Sequence, residues 1–274
     1  MNVIKSNKMK KIITLAVAAM ISVAAIAQPK VIAHRGFHAI DGSCRNSIEA
    51  LAQAQKAALY GSECDINLTK DGVIVVAHGG LHPDKIYRKG ENIKRLDIQR
   101  CTYDQLKAIP LENGETLPTL EQYLKQLKKS KKTKLIIEVK SHYTKAKESE
   151  IVSKTIEMVA KYGLNDMVEY IAFRPWVCTE LERLAPKGTP IAYLNGDYNP
   201  EYVQSMGIAG IDYNYSVLKK HPEWIKQCHE RGLTVNVWTV DKEEDLRWVI
   251  SQGVDYITTD NPVLATKLIK EMCK

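Results

Sequence analysis

The sequence lacks most of the patterns that would assign it at once to a class of protein. No two of its six cysteines have C-x-x-C spacing, so neither a zinc site nor a thioredoxin-type redox motif is indicated. No Pro/Gly/Ser-rich linker, low-complexity tract or short repeat interrupts the chain, and a second domain is therefore not expected. We expect the cysteines, at positions 44, 64, 101, 178, 228 and 273, to be mostly free, buried thiols.

A strong excess of charge is also missing. The formal net charge of +7 includes four lysines within the first 27 residues, so the remainder of the chain carries only +3. The only dense run of lysines, between residues 128 and 134, closes a predicted helix, where cations suit the helix dipole. Nucleic-acid binding usually requires a clustered basic surface, and no nucleic-acid partner is predicted.

No apolar run is long enough to span a membrane. The longest, residues 12–27, has 16 residues, whereas a spanning helix needs about 20. Lys8, Lys10 and Lys11 lie just before this run, and it ends in Ala25-Ile26-Ala27, a small-x-small cleavage pattern. The sequence therefore predicts a signal peptide over residues 1–27 and a mature chain that begins near Gln28. We expect the protein to be exported, to the periplasm or out of the cell, with no stable membrane anchor after cleavage.

Short β-rich runs alternate with amphipathic helical stretches, which predicts a parallel sheet with crossover helices. The helical stretches include Glu148 to Lys161, Pro222 to Glu230 and Lys242 to Ser251. The nine β-rich runs are Lys30–Ala33, Glu63–Leu68, Val73–Ala77, Lys134–Val139, Val168–Ala172, Ile191–Leu194, Gly210–Tyr213, Thr234–Thr239 and Tyr256–Thr258.

The second and third runs are too close to be parallel neighbours. Only residues 69–72 separate them, and a parallel crossover needs a dozen or more residues. The pair Asp71-Gly72 instead favours a two-residue hairpin turn, which sets His78 directly opposite Asp65 on the same face of the pair. Eight parallel strands remain, so the fold class is α/β, a (β/α)8 TIM barrel with a hairpin excursion after the second barrel strand. Residues 28–274 are long enough for one such domain.

A polar segment with weak periodicity follows the hairpin, from Gly79 to Gln105. Longer loops inside compact domains are often functional. The segment is predicted to be a short insertion, either a lid over the barrel mouth or a plain surface loop.

Acidic residues cluster where the strands end, which is where barrel active sites lie. Glu63 and Asp65 are two apart on the second strand, so both side chains point the same way. Glu138 ends the next parallel strand. Three converging carboxylates would repel one another, and a hard divalent cation, Ca²⁺ or Mg²⁺, relieves that repulsion. We therefore predict one divalent cation bound by these three residues.

Two histidines and two cationic side chains are expected at the same mouth. His34 follows the first strand and His78 the hairpin, and imidazole titrates near neutral pH, as general acid–base catalysis requires. Arg35 and Lys140 supply donors for phosphate oxygens. A metal, two histidines and two cations together fit phosphoryl transfer.

These residues resemble the glycerophosphodiester phosphodiesterase family, related in fold to phosphatidylinositol-specific phospholipases C. The resemblance extends from about Val31 to Leu264. Its markers are HRG at 34–36, ECD at 63–65 with Thr69, Asp71-Gly72 and His78, EVK at 138–140, VNVWTV at 235–240 and ITTDNP at 257–262.

The resemblance implies a role for each marker. Glu63, Asp65 and Glu138 would hold Ca²⁺ or Mg²⁺, and His34 and His78 would form the acid/base pair. Arg35 and Lys140 would bind the phosphate, and Trp238 would pack against glycerol carbons.

The implied reaction converts a small-molecule glycerophosphodiester to sn-glycerol 3-phosphate and an alcohol. The free 2-hydroxyl of the glycerol attacks phosphorus, and water then opens the resulting cyclic phosphate.

Two positions depart from the family pattern. The family has PENT after HRG, whereas this chain has Cys44-Arg45-Asn46-Ser47, so the glutamate that would brace Arg35 is replaced by Arg45. Either Arg35 is repositioned or Glu49 substitutes as the brace. Gly79 follows His78 where the family has aspartate. These departures leave open a different diester, such as a glycerophosphoinositol or sugar phosphodiester, and a non-catalytic phosphodiester-binding protein.

Overall fold

A computed structural model describes residues 28–81 and 96–273. The predicted signal peptide, residues 1–27, and the middle of the predicted insertion, residues 82–95, lie outside the described residues. Within the described part, no helix is both long and apolar enough to cross a membrane.

Nine strands form one sheet, and eight of them close into a parallel barrel. β1 pairs with both β9 and β2, which closes the ring. This architecture confirms the predicted (β/α)8 barrel. The strands are β1 (Lys30–Ala33), β2 (Gly61–Leu68), β3 (Ile74–Val76), β4 (Lys134–Val139), β5 (Val168–Ala172), β6 (Ile191–Tyr193), β7 (Gly210–Asn214), β8 (Thr234–Trp238) and β9 (Tyr256–Thr259).

Helices surround the barrel and connect its strands. Side-chain N-caps start several of them, as with Ser47, whose hydroxyl accepts from the Ala50 amide, a contact that satisfies an otherwise unpaired helix donor. The helices are α1 (Ile48–Lys56), α2 (Tyr103–Lys107), α3 (Leu120–Leu127), α4 (Lys145–Tyr162), α5 (Pro175–Leu184), α6 (Pro200–Ser205), α7 (Tyr215–Lys220), α8 (Glu223–Glu230), α9 (Glu243–Ser251) and α10 (Pro262–Met272), with two short 3₁₀ turns at Ile98–Arg100 and Asn165–Met167.

Strand alternation divides the core into two layers. Cys64 and Ile66 of β2 face outward and pack in the large apolar layer between sheet and helices. Ile32, Ile136, Ile171 and Leu194 face inward and fill the barrel interior. Inward-facing positions nearer the carboxyl ends of the strands are therefore free to carry polar groups above this apolar floor.

The hairpin forms as predicted, but its predicted register is wrong by one residue. β3 runs antiparallel to β2 with Leu68 opposite Ile74, and the loop holds three residues, 70–72, that end in Gly72 at φ +81°. A three-residue loop that ends in a left-handed glycine shifts the pairing relative to a two-residue turn. Asp65 consequently faces Ala77, whose amide donates to the Asp65 carbonyl (2.9 Å). His78 lies beyond the end of β3.

The described ends of the insertion pack against the barrel mouth. Leu81 and Leu96 pair in a short bridge, and Ile98 joins a small apolar cluster with Val75 and Ala77. The side-chain amide of Gln99 donates through Nε2 to the Ser141 main-chain carbonyl at 2.9 Å. These contacts hold the described ends of the insertion beside His78, and the two predicted alternatives for it, a lid or a plain surface loop, both stay open.

Candidate active site

One cavity of about 110 Å³ opens at the carboxyl ends of the barrel strands. Seven of the eight predicted site residues line it, and the eighth, Asp65, is buried beside it in contact with Arg35 and Lys140. The seven are His34, Arg35, Glu63, His78, Glu138, Lys140 and Trp238. Strand pairing and barrel closure thus bring together residues from five separate stretches of sequence.

Strand register assembles the acidic cluster. Asp65 of β2 lies directly opposite Glu138 of β4, and Glu63 precedes Asp65 on the same inner face. One carboxylate oxygen from each of the three residues lies within 4.8 Å of the others, and all three side chains are buried. This is the set that the sequence predicts as metal ligands.

Burial and mutual repulsion control the ionisation of these acids. Burial, together with the charges of Asp65 and Glu138, raises the pKa of Glu63 well above its usual value. Burial and the charge of Asp65 raise the pKa of Glu138 to about 7. For Asp65, burial opposes ionisation, but Lys140, His78 and Arg35 outweigh it and lower its pKa. Glu63 and Glu138 are therefore fully ionised at neutral pH only if additional positive charge lies close to them.

Three buried oxygens of this cluster lack a hydrogen-bond donor among the described residues: Oε1 of Glu63, Oδ1 of Asp65 and Oε1 of Glu138. The last two lie near Lys140, whereas Oε1 of Glu63 has no ion-pair contact with a described residue. An orphaned buried acceptor costs free energy unless a cation or other donor occupies the space in front of it. The cluster is thus compatible with a divalent metal site.

Two cationic side chains reach the cluster from opposite sides. Lys140 Nζ lies 2.5 Å from Glu138 Oε1 and 3.3 Å from Asp65 Oδ1. Arg35 Nε lies 3.3 Å from Asp65 Oδ2, and the Arg35 amide donates to Glu63 Oε2 at 2.7 Å. Arg35 adopts a left-handed conformation (φ 54°), followed by Gly36 at φ 80°. A Cβ at Gly36 would lie 2.5 Å from the Ala50 Cβ, so this tight turn requires glycine.

His34 is held by an aspartate that the sequence analysis did not select. Asp260, directly after β9, lies 2.7 Å from His34 Nδ1 and 3.0 Å from His38 Nε2 through Oδ1. Burial disfavours ionisation of Asp260, but its hydrogen bonds with these two histidines outweigh burial and hold its pKa well below the usual range. The anionic carboxylate fixes Nδ1 of His34, so Nε2 is the nitrogen left for chemistry.

Arg45 and Glu49 take positions that differ from the expectation. Arg45 Nη2 lies 3.3 Å from Asp260 Oδ2, so it pairs with the aspartate that holds His34. Glu49 accepts a hydrogen bond from Gln53 at 2.6 Å. The contact that braces Arg35 is the one with Asp65. Of the two alternatives, the one in which Glu49 substitutes for the missing glutamate is therefore wrong.

His78 lines the cavity near the acidic cluster and is exposed to solvent as a residue. Desolvation of its ring by the surrounding protein lowers its pKa to about 4, with Asp65 opposing and Lys140 and Arg35 reinforcing the shift. Its imidazole is thus neutral at pH 7 in the ligand-free site.

The wall across the cavity is apolar except for one acid. Phe173 and Trp238 meet edge to face with centroids 5.7 Å apart, and Trp238 Nε1 donates to the main-chain carbonyl of Asp212 at 2.8 Å. The Asp212 side chain lines the cavity and is 1% exposed. Burial and the charge of Glu138 raise its pKa well above the usual value.

Comparison with known proteins agrees with this geometry. The sequence model of the glycerophosphoryl diester phosphodiesterase family matches residues 34–264, a span that begins at His34 and includes every site residue described above. The chain belongs to this family.

Individual members of the family match the chain over most of its length. A glycerophosphodiester phosphodiesterase from Caldanaerobacter subterraneus subsp. tengcongensis is 28% identical, over 88% of this chain and 98% of the relative. The crystal structure of a glycerophosphodiester phosphodiesterase from Parabacteroides distasonis is 43% identical, with a TM-score of 0.82 over 90% of this chain and 99% of that one. An Oleispira antarctica phosphodiesterase, solved in complex with the product sn-glycerol-3-phosphate, shares the fold at 20% identity, with a TM-score of 0.71 over 89% of this chain and 97% of that one.

Membership in the glycerophosphoryl diester phosphodiesterase family makes the protein an enzyme, a phosphoric diester hydrolase.

Three residues at its site were not predicted from the sequence: Asn46, Asp212 and Asp260. Asn46 donates to Asp65 Oδ2 (2.8 Å) and accepts from the Asp65 amide (3.2 Å). Asp212 alternates on β7 with the apolar residues Ile211 and Tyr213, and this alternation could have predicted that its side chain faces the barrel interior.

Proposed function

We propose that the protein hydrolyses glycerophosphodiesters to sn-glycerol 3-phosphate and an alcohol, with metal-dependent histidine acid/base catalysis. The observation that carries the proposal is the single cavity in which two histidines, two cations and three clustered acids meet. The relative with 43% identity, which bears the glycerophosphodiester phosphodiesterase name, supports the substrate class.

Glu63, Asp65 and Glu138 would hold one cation, Ca²⁺ or Mg²⁺, because carboxylate oxygens are the ligands that both ions prefer. The bound cation would offset the charge of these carboxylates and of the phosphodiester. Arg35 and Lys140 border the same cluster and bind the remaining phosphoryl oxygens. Together these groups orient the phosphorus for attack.

His34 is the base of the first step. Its Nδ1 is committed to Asp260 at 2.7 Å, so Nε2 accepts the proton from the 2-hydroxyl of the glycerol. The nearby carboxylate stabilises the imidazolium that forms. The hydroxyl oxygen then bonds to phosphorus, and the bond from phosphorus to the leaving alcohol breaks.

His78 protonates the leaving alcohol. Its low pKa in the ligand-free site reflects desolvation of its ring first, and the negative charge of a bound phosphodiester raises the pKa of a neighbouring imidazole. Water then opens the cyclic phosphate, with the two histidines exchanging roles. The sequence of steps returns both residues to their starting protonation states.

A second cavity of about 260 Å³ adjoins the first and shares His78, Glu138, Lys140 and Phe173 with it. Its other walls are polar and include Asn67, Asp97 and Gln99. It accommodates the leaving alcohol, and its polarity favours a hydroxylated or amine-bearing headgroup. This feature also supports the second candidate, a glycerophosphoinositol or sugar phosphodiester as the substrate.

The proposal is tested with purified residues 28–274, several glycerophosphodiesters and either Ca²⁺ or Mg²⁺, with glycerol 3-phosphate measured over time. We expect product that is lost with a chelator and with His34→Ala or His78→Ala. Undiminished turnover in His34→Ala would refute the acid/base assignment, and diester binding without turnover would identify a binding protein. We further propose that the enzyme acts outside the cytoplasm, which signal cleavage near Gln28 in secreted material would verify.

A further inference from the structure

Asp212, on β7, has no role in the proposed reaction. Asp212 lies on the inner face of its strand, because Ile211 and Tyr213 on either side of it face the outer apolar layer. Its Oδ1 is buried and has no hydrogen-bond partner among the described residues. Asn236, its neighbour on β8, lowers the pKa of Asp212, but burial outweighs this and favours the uncharged acid. A buried acid with an unpaired oxygen is costly to the folded protein, and its presence in a ligand cavity calls for a hydrogen-bond partner from the ligand.

The order of the strands places Asp212 far from the side of the cavity where Arg35 and Lys140 would bind the phosphate. Among the eight barrel strands, β7 is four positions from β2 in either direction, so it lies across the barrel from Glu63 and Asp65. Arg35 and Lys140, the cations that attract a phosphodiester, contact the β2 side. An anionic phosphoryl oxygen is attracted to those cations, whereas an uncharged hydroxyl can donate to an oxygen of Asp212.

The surroundings of Asp212 restrict what else can reach it. Leu194, Phe173 and Trp238 line the same part of the cavity and suit carbon atoms. The cavity holds only about 110 Å³, room for a small polyol and not for a bulky group. The ligand segment here is therefore a short carbon chain that ends in a hydroxyl.

We propose that Asp212 is a specificity-determining residue that accepts a hydrogen bond from the terminal hydroxyl of the substrate's glycerol. The inference rests on the proposed function and deepens it, because it predicts selection of glycerol over diols that lack the terminal hydroxyl. A diester of propane-1,2-diol keeps the hydroxyl next to the phosphate ester and replaces only the terminal CH₂OH with methyl. Loss of a hydrogen bond that leaves an oxygen of a buried acid unpaired reduces affinity or rate by about 10- to 100-fold.

The experiment compares kcat/KM for the phosphocholine diesters of glycerol and of propane-1,2-diol. Wild type is expected to prefer the glycerol diester by about 10- to 100-fold, and Asp212→Leu is expected to bring the ratio close to one. A wild-type ratio near one, or an unchanged ratio in the variant, would overturn the proposal. Asp212→Asn, which keeps an acceptor oxygen of the same size, should retain part of the preference.

Two controls separate this role from others. Asp245 is also buried but lies on α9 and pairs with Lys219 away from the cavity, so Asp245→Asn should leave the ratio at the wild-type value. Mg²⁺ affinity of Asp212→Leu, measured by calorimetry, should match wild type, and a large loss would assign Asp212 to the cation site instead.

A binding measurement keeps the inference independent of turnover. The dissociation constants of glycerol 3-phosphate and propane-1,2-diol 1-phosphate are compared by calorimetry with wild type and Asp212→Leu. If no diester is hydrolysed, the proposed function fails, while preferential binding of glycerol 3-phosphate by wild type alone still supports the role of Asp212. Equal binding of the two phosphates by wild type would refute it.

Discussion

Asp260 and His34 are joined by a 2.7 Å contact between Oδ1 and Nδ1 across 226 positions of sequence. Strand closure produces it, because β1 and β9 are parallel neighbours and their last residues, Ala33 and Thr259, pair directly. The imidazole of His34 is therefore oriented by a residue at the closure of the barrel and not by its own loop.

Replacement of Asp260 tests that relationship. Asp260→Asn is expected to lower kcat by about 100-fold or more with a smaller change in KM, because the amide no longer stabilises the imidazolium of His34. Steady-state kinetics across pH measures the effect. Arg45 contacts the other oxygen of Asp260 from an exposed position, and Arg45→Gln serves as the control, with an expected loss below about 5-fold. Equal losses in both variants would contradict the positioning role.

Asn46 is expected to tune the cation site through Asp65. Its side chain both donates to and accepts from that residue, and removal of such a supporting contact typically costs about 10- to 100-fold in metal affinity. Titration calorimetry with Ca²⁺ or Mg²⁺ on Asn46→Ala measures the loss. Asn67→Ala removes another buried asparagine, which lies on β2 two residues after Asp65 and donates to the Ala77 carbonyl. Equal weakening there would argue against a specific effect of Asn46.

Cation affinity should depend on pH. The pKa of Glu138 is about 7 and that of Glu63 is raised well above normal, so a cation must displace protons from these acids at lower pH. We expect affinity to increase from about pH 5.5 to pH 8, by up to about 10-fold per unit for each proton displaced. Calorimetry in buffers of different ionisation enthalpy counts the protons released. A flat profile would show that the acids are ionised before the cation binds.

Stability of the cation-free protein should decrease over the same range. A carboxyl whose pKa is higher in the folded state than in the unfolded state binds more protons when folded, so its contribution is largest at low pH and is lost as pH rises. From the usual value of 4.5 to about 7 for Glu138, the loss is about 3 kcal/mol, complete above pH 7. Urea unfolding with a chelator, compared with Glu138→Gln, isolates this contribution. Parallel curves for the two proteins would rule it out.

The sequence predicted correctly those strands whose formation depends mainly on their own residues. β1, β4 and β5 have the predicted bounds, since buried runs of branched residues announce strands. The hairpin register was wrong because Asp71-Gly72 suits loops of two residues and of three, and only the conformation of Gly72 distinguishes them. The number of residues in a tight turn is not visible in its composition.

The candidate site divides in the same way. Glu63, Glu138 and His34 were predictable, because strand ends in a barrel converge on one mouth. The partners of these groups were not, since contacts such as that of Arg45 with Asp260 depend on side-chain direction after closure. A basic residue in place of an acidic one was visible in the sequence, but its new partner was not.

The three-residue hairpin loop leaves His78 outside the β ladder, on the short stretch that continues into the insertion. The two histidines are therefore held differently: His34 contacts Asp260 where the ring closes, while His78 lies on the arm that leads into the insertion. Changes in the length or composition of that arm alter the second histidine and the adjoining leaving-group cavity together, without disturbing the ring. New headgroup preferences in this scaffold are therefore expected to arise through changes in the arm. Such changes would alter the position of His78 at the same time.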